Sequence, residues 1–230
     1  MAVLIPILLW CCLMTMWLVV PRLDNRRDHH RSRATATELA SRSGFAPATA
    51  PRPPWRAAPF HYGDRHDYEQ AAQGPLAGRP TLVCAYGCTD NGVTLWSNTL
   101  VLTLDRPTAA VEVLHERPYT SPAIAMPTSM AVHPAEDESL DRAAQVRFDT
   151  DLPETPDARA IARVLAAAVT GAPERYSLRA NGRTLVLWRG GGFRDAASAE
   201  ACASAALQAL DSAVALGLRR ADDSAPSALA

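Results

Sequence analysis

The sequence predicts an α+β chain: an N-terminal transmembrane helix, then one domain with an antiparallel sheet packed by two or three helices. Three observations carry that reading. Residues 2–20 form a run of nineteen residues without a charge. Two Asn-Gly dipeptides, Asn91-Gly92 and Asn181-Gly182, sit between stretches of alternating apolar residues, the strongest short hairpin signal. Two later stretches, after Asp157 and Asp195, repeat apolar residues at helical spacing behind an N-capping side chain.

The first run spans about 28 Å as a helix, close to the hydrocarbon thickness of a bilayer. Pro6 lies in its first turns, where a missing N–H costs least, and Pro21 ends it. Trp17 stands at a depth suited to interfacial anchoring. A cleaved secretory signal is the competing reading. It expects a positive region ahead of a shorter apolar core, with a small-residue site just beyond. Here only the amino terminus precedes the run, and the nearest such tripeptide, Ala34-Thr35-Ala36, follows the charged cluster. A lipoprotein signal fits poorly too, because bulky Leu9 and Trp10 precede Cys11. The expectation is therefore an uncleaved anchor, with a secreted domain as its alternative.

Arg22, Arg26, Arg27, Arg31 and Arg33 all lie on one side of the run, in a juxtamembrane segment over 21–33. The positive-inside rule then places the domain in the cytoplasm; Asp24 and Asp28 count for little in it. Arg22, Arg26 and Arg27 are the candidates for contact with anionic lipid.

About 200 residues remain, enough for one domain with a real core. The formal net charge of −1 offers no basic footprint for nucleic acid. All 23 basic residues are arginines. Without a lysine, a P-loop, a Schiff base and a kinase-type ATP site are excluded. Cys84 and Cys88 have three residues between them, not the two of a redox or zinc pair. On an extended strand they would lie about 13 Å apart, too far for a disulfide, and they read as small buried apolar residues.

Along the domain, residues 34–45 read as a short helix stopped by Gly44, and 47–59 as a Pro-rich connector. Residues 60–79 read as polar and turn-rich. Strands are expected over 81–86, 93–104 and 110–115, with Asp105-Arg106-Pro107 as a turn between the last two. Residues 117–143 read mostly as loop, with a short strand at 130–133, and 144–148 as a strand. A helix follows from Asp157 to about Thr170. Residues 175–180 and 183–188 form a second hairpin about Asn181-Gly182, a long Ala-rich helix runs to about Gly217, and 219–230 read as a disordered tail. The domain thus spans 34–218, with a sheet of five or six strands.

Several motifs follow one another in an order with a familiar ring. They are Leu39-Ala40-Ser41-Arg42-Ser43-Gly44-Phe45, Gly78-Arg79-Pro80, Phe148-Asp149-Thr150 and Leu185-Val186-Leu187-Trp188-Arg189. In that order, after a membrane helix, they resemble uncharacterised actinobacterial single-pass membrane proteins of unknown function. The resemblance implies a topology and a fold, and no activity. The chain departs from that pattern at 84–88, where a Tyr- or Phe-rich strand is usual.

Candidate chemistry is sparse. His61, Asp64, His66 and Asp67 fit no helical ligand pair and read as a solvated loop; His29-His30 reads as an exposed polar linker. Gly190-Gly191-Gly192 before a helix could receive an anion, but the flanking residues of a phosphate loop are missing, so a permissive turn is expected. Cys84, Cys88, Ser97 and Ser129 lack the context of a catalytic nucleophile. His115-Glu116, with His133 as a distant partner, is the most enzyme-like pair. No catalytic, cofactor or metal residue is assigned. The expected function is a non-catalytic binding or scaffold module for an unknown protein partner, exposing an apolar patch or an open sheet edge. A tethered hydrolase-like enzyme is the rival.

Overall fold

Alternating apolar residues over 79–102 and 177–187 give each strand two faces, and in this sequence the two faces are buried differently. The computed structural model describes residues 10, 25–48, 65–90, 93–115, 131–148 and 158–218. Seven strands form one antiparallel sheet: β1 (Ala46–Pro47), β2 (Arg65–Leu76), β3 (Arg79–Asp90), β4 (Val93–Leu114), β5 (Ala131–His133), β6 (Gln145–Phe148) and β7 (Ser177–Gly190). Their order is β1-β2-β3-β4-β6-β5, with β7 alongside β4. The described helices are α1 over 25–40, α2 (Glu138–Ala143), α3 (Ala158–Gly171) and α4 (Ala196–Ala215).

β4 is the spine of the sheet. It pairs with β3 and β6 at different levels and with β7 along most of its length. Two expected turns are not turns. Asp105-Arg106-Pro107 lies within β4, and Asn181-Gly182 lies within β7, at the same level of the sheet. The register jumps from Thr103↔Thr184 to Thr108↔Gly182, so β4 bulges where β7 does not. Pro107, which cannot donate to a ladder, is tolerated in that bulge. Arg183 fastens it by donating to the Asp105 carbonyl at 3.0 Å. Of the Asn-Gly pair only Gly182 has a positive φ, +56°, whereas a two-residue turn of this kind needs both.

The segment expected to be polar loop holds β2. Its hairpin to β3 turns at Ala77 and Gly78, both at positive φ (49° and 74°), with Leu76 paired to Arg79. The Asn91-Gly92 expectation fares better, since Asp90 pairs with Val93 and two residues join the strands. α2 was not expected; Asp137 caps it by accepting from the Ser139 and Leu140 amides. β5, β6, α3 and α4 fall close to where the sequence places them. The sheet has seven strands where five or six were expected. Neighbouring segments merge into the long β4 and β7, while β1 and β2 are additions.

One face of the sheet carries the main core. Val83, Leu100, Leu102, Leu185 and Leu187 pack with Leu39 of α1 and with Ala199, Ala203 and Ala206 of α4. Val111, Val113, Val146 and Leu178 meet Ile161, Leu165 and Val169 of α3. The other face holds a smaller buried cluster of Cys84, Tyr86, Cys88 and Val186, edged by Tyr68, Leu95, Val101 and Trp188.

Residues 2–20 fall outside the described residues except for Trp10, which is helical and 66% exposed. Among the described residues, no helix is long and apolar enough to cross a membrane. Most of the connector, 49–59, and the tail, 219–230, also lie outside them.

Candidate functional site

The segment expected to link anchor and domain is built into the domain. The short helix expected from residue 34 is described from 25 to 40 as α1, so Arg26, Arg27, Arg31 and Arg33 lie on a packed helix, while Arg22 falls outside the described residues. Ser32, Thr35, Ala36 and Leu39, spaced three and four apart, are 2% exposed or less and point into the molecule. The helix rests on the glycine-rich loop ahead of α4. A Cβ on Gly192 would stand 2.8 Å from the Ser32 Cα, and one on Gly191 would stand 2.7 Å from an Asp28 carboxylate oxygen. Both glycines hold positive φ as well. They are there for close approach and for backbone shape.

Polar contacts complete this seam. Asn98 of β4 donates to the Ser32 carbonyl at 2.6 Å and accepts from the Phe193 amide at 3.0 Å. Thr35 donates to the Phe193 carbonyl at 2.7 Å. Glu38 accepts from the Ala196 amide in the first turn of α4, beside the Asp195 cap. Arg42 pairs with Glu200 at 2.6 Å, and Arg31 reaches Glu174, which Arg189 also holds at 3.0 Å. His29 stacks on Trp96 with ring centroids 4.1 Å apart, and its Nε2 lies 3.1 Å from Glu69. It is half-buried, not the exposed linker residue expected, because its helix is continuous with the packed part.

At Gly190-Gly191-Gly192, weighed as an anion cradle and expected to be a permissive turn, the amides meet the chain's own carbonyls. The Gly191 amide donates to the Trp96 carbonyl and the Gly192 amide to the Arg189 carbonyl. The free amides of the α4 N-terminus go to Asp195 and Glu38, which leaves a turn with a packing role.

The other candidates scatter. His61, Asp64, Glu116 and Ser129 lie outside the described residues. His66 and Asp67 are neighbours on β2 and so point to opposite faces; the His66 Nδ1 is 2.6 Å from the Tyr86 hydroxyl. The His115 ring bonds the Ala143 carbonyl at 2.8 Å, and its amide donates to Ser177. That makes it a tie between β4 and the end of α2. His133 is half-buried on β5, a strand at one end of the sheet order.

Burial pushes the Cys84 thiol up to about 12 and the Cys202 thiol up to about 11, which suppresses thiolate chemistry. Burial raises the Tyr68 and Tyr86 hydroxyls as well, Tyr68 to about 12. Ser97 is buried and donates weakly to the Tyr86 carbonyl. One ionic feature escaped the sequence reading. Glu112 is fully buried between its cross-strand neighbours Arg147 and Arg179, 3.5 Å from each. Burial raises its carboxyl and the two arginines oppose the shift. The set ties β6, β4 and β7 in register, a role legible only once the pairing is known.

Among the described strands, β1, β5 and β7 each pair on one side only. Among the described strands β7 pairs with β4 alone, leaving the outer edge of a 14-residue strand without a strand partner. β5 ends the sheet at the other side, with Val132 54% exposed.

No family model matches the sequence, and no curated protein matches it significantly. The resemblance to actinobacterial membrane proteins therefore has no family match behind it. Among solved structures, the mycobacterial trehalose monomycolate transport factor A, TtfA, is similar at 10% identity, over 83% of this chain and 96% of that one, with a TM-score of 0.47. A likeness at that level bears on neither family nor activity.

Proposed function

We propose that this chain is a membrane-anchored, non-catalytic binding or scaffold module at the inner membrane face. Residues 2–20 are its single span, and an open sheet edge takes a protein partner. The outer edge of β7 carries the binding part of this reading. A row of backbone N–H and C=O groups along an edge strand is a template for an added strand. Support for the anchoring part comes from the uncharged run and its one-sided arginines. Among the described candidates, His115 holds a backbone carbonyl and Cys84 is a buried thiol held protonated.

Carbonate extraction and site-specific photocrosslinking test the two parts. The full chain is expected in the membrane pellet, and a variant lacking residues 2–20 in the supernatant. A photoreactive side chain at Arg183 or Val132 is expected to capture one partner that the same group at Ser204, exposed on α4, does not. A full chain that washes off in carbonate contradicts the anchor. Equal capture from all three positions contradicts the edge.

A further inference from the structure

The charges of α1 are sorted by face, and the sorting has a use. At 100° per residue, Arg33, Arg26, Thr37, His30, Ala34 and Arg27 occupy one arc, and all six are exposed. The opposite arc holds Ser32, Thr35, Ala36 and Leu39 in the core. Of the two acids described on this helix, Asp28 is half-buried and Glu38 stands exposed at the margin of the arc, next to Arg27. Asp28 is turned to Gly191, and Glu38 caps α4 through the Ala196 amide. The linear sequence shows arginines diluted by acids; the folded helix shows a basic outer face. Glu69 of β2 lies 3.8 Å from the Arg33 guanidinium and is shared with His29.

We propose that this face, Arg26, Arg27, His30 and Arg33, lies on the anionic headgroups of the membrane and sets the orientation of the domain against it. The inference rests on the anchor reading above and deepens it. Two observations choose lipid as the occupant. The run of residues 2–20 stops only five positions before α1 as described, so the face cannot stray far from a bilayer that the run enters. The sequence places Pro21, which has no N–H to give, between the run and α1, and a helix with one basic outer face suits a headgroup surface. Charge complementarity supplies the rest, at about a fivefold change in surface partitioning per arginine. Because α1 is locked to β4 and to the α4 loop, headgroup contact would hold the whole domain in one orientation.

The test uses the full chain in vesicles, with Cys11 and Cys12 replaced by alanine and a fluorophore on His30→Cys. The same fluorophore on Ser204→Cys is the control. Quenching by a headgroup-nitroxide lipid is measured in phosphatidylcholine alone and with a third phosphatidylglycerol. The expected result is strong quenching at position 30 in the anionic vesicles only, lost in half-molar salt, with none at 204. Replacing Arg26, Arg27 and Arg33 by glutamine should return it to the phosphatidylcholine level, a loss on the order of 100-fold in partitioning. These three side chains are exposed, so the thermal midpoint should hold. Equal quenching in both vesicles, or no response to the triple change, overturns the proposal while leaving the anchor standing. Release of the chain from vesicles in carbonate removes the anchor and this proposal together.

Discussion

The inward and outward faces of α1 share one backbone and differ in what each residue can be exchanged for. The inward face is set by van der Waals contact and by buried hydrogen bonds such as Thr35 to the Phe193 carbonyl and Asn98 to the Ser32 carbonyl, so few exchanges fit there. The outward face is set by charge in water, where any residue that keeps the helix is structurally acceptable. The first face should govern stability and the second only location. Under the anchoring proposed above, one helix would in this way serve both anchor and domain.

That contrast can be broken by substitution. Asn98→Ala should cost most, about 2–6 kcal/mol, since it strands both the Ser32 carbonyl and the Phe193 amide in a buried seam. Leu39→Ala should follow at about 2–5 kcal/mol, the range for a large core side chain cut to a methyl. Gly192→Ala should lose about 1–3 kcal/mol, because the new Cβ meets the Ser32 backbone and Asn98, at a φ that alanine resists. Denaturant unfolding reads all three, and a change below about 0.5 kcal/mol in any of them, the scatter of an ordinary surface substitution, breaks the account of the seam. Glu38→Ala should cost about 1 kcal/mol, as the loss of a helix cap does. Arg26→Gln should stay within about 0.5 kcal/mol. If Arg26→Gln destabilised as much as Glu38→Ala, the two faces would not be separate in function.

How much of this was legible beforehand depended on whether a signal was local. Caps and apolar periods are local, so α4 could be read from Asp195, α3 from its helical spacing, and β5 and β6 from their apolar alternation. The two Asn-Gly pairs show the limit. One stands at a two-residue connection between β3 and β4. The other sits inside β7, because β4 bulges opposite it and keeps the pairing going on both sides. In the second pair Gly182 holds a positive φ without a reversal; the neighbouring strand decides whether the chain turns back. Ala77-Gly78, with no such dipeptide, makes the hairpin instead.

The site was less legible than the fold. Gly190-Gly191-Gly192 was visible as a permissive turn, but the partner of Gly192, Ser32, is 160 residues away in sequence. The Glu112 set needs three strands in register before it exists. The basic outer face of α1 could have been found by continuing the helical period back through residues 26–33; the arginines and histidines there disguised a packed helix as a linker.

Sidedness tests the central claim most directly. The full chain, with Cys11 and Cys12 replaced by alanine and an exposed thiol at Ser204→Cys, is expressed in a bacterial host and treated with a membrane-impermeant maleimide. Cys84, Cys88 and Cys202 are buried and stay silent. The account predicts a protein that remains in the membrane after carbonate and is labelled only once the cells are permeabilised. Labelling of intact cells, or a labelled protein in the soluble fraction, would contradict it.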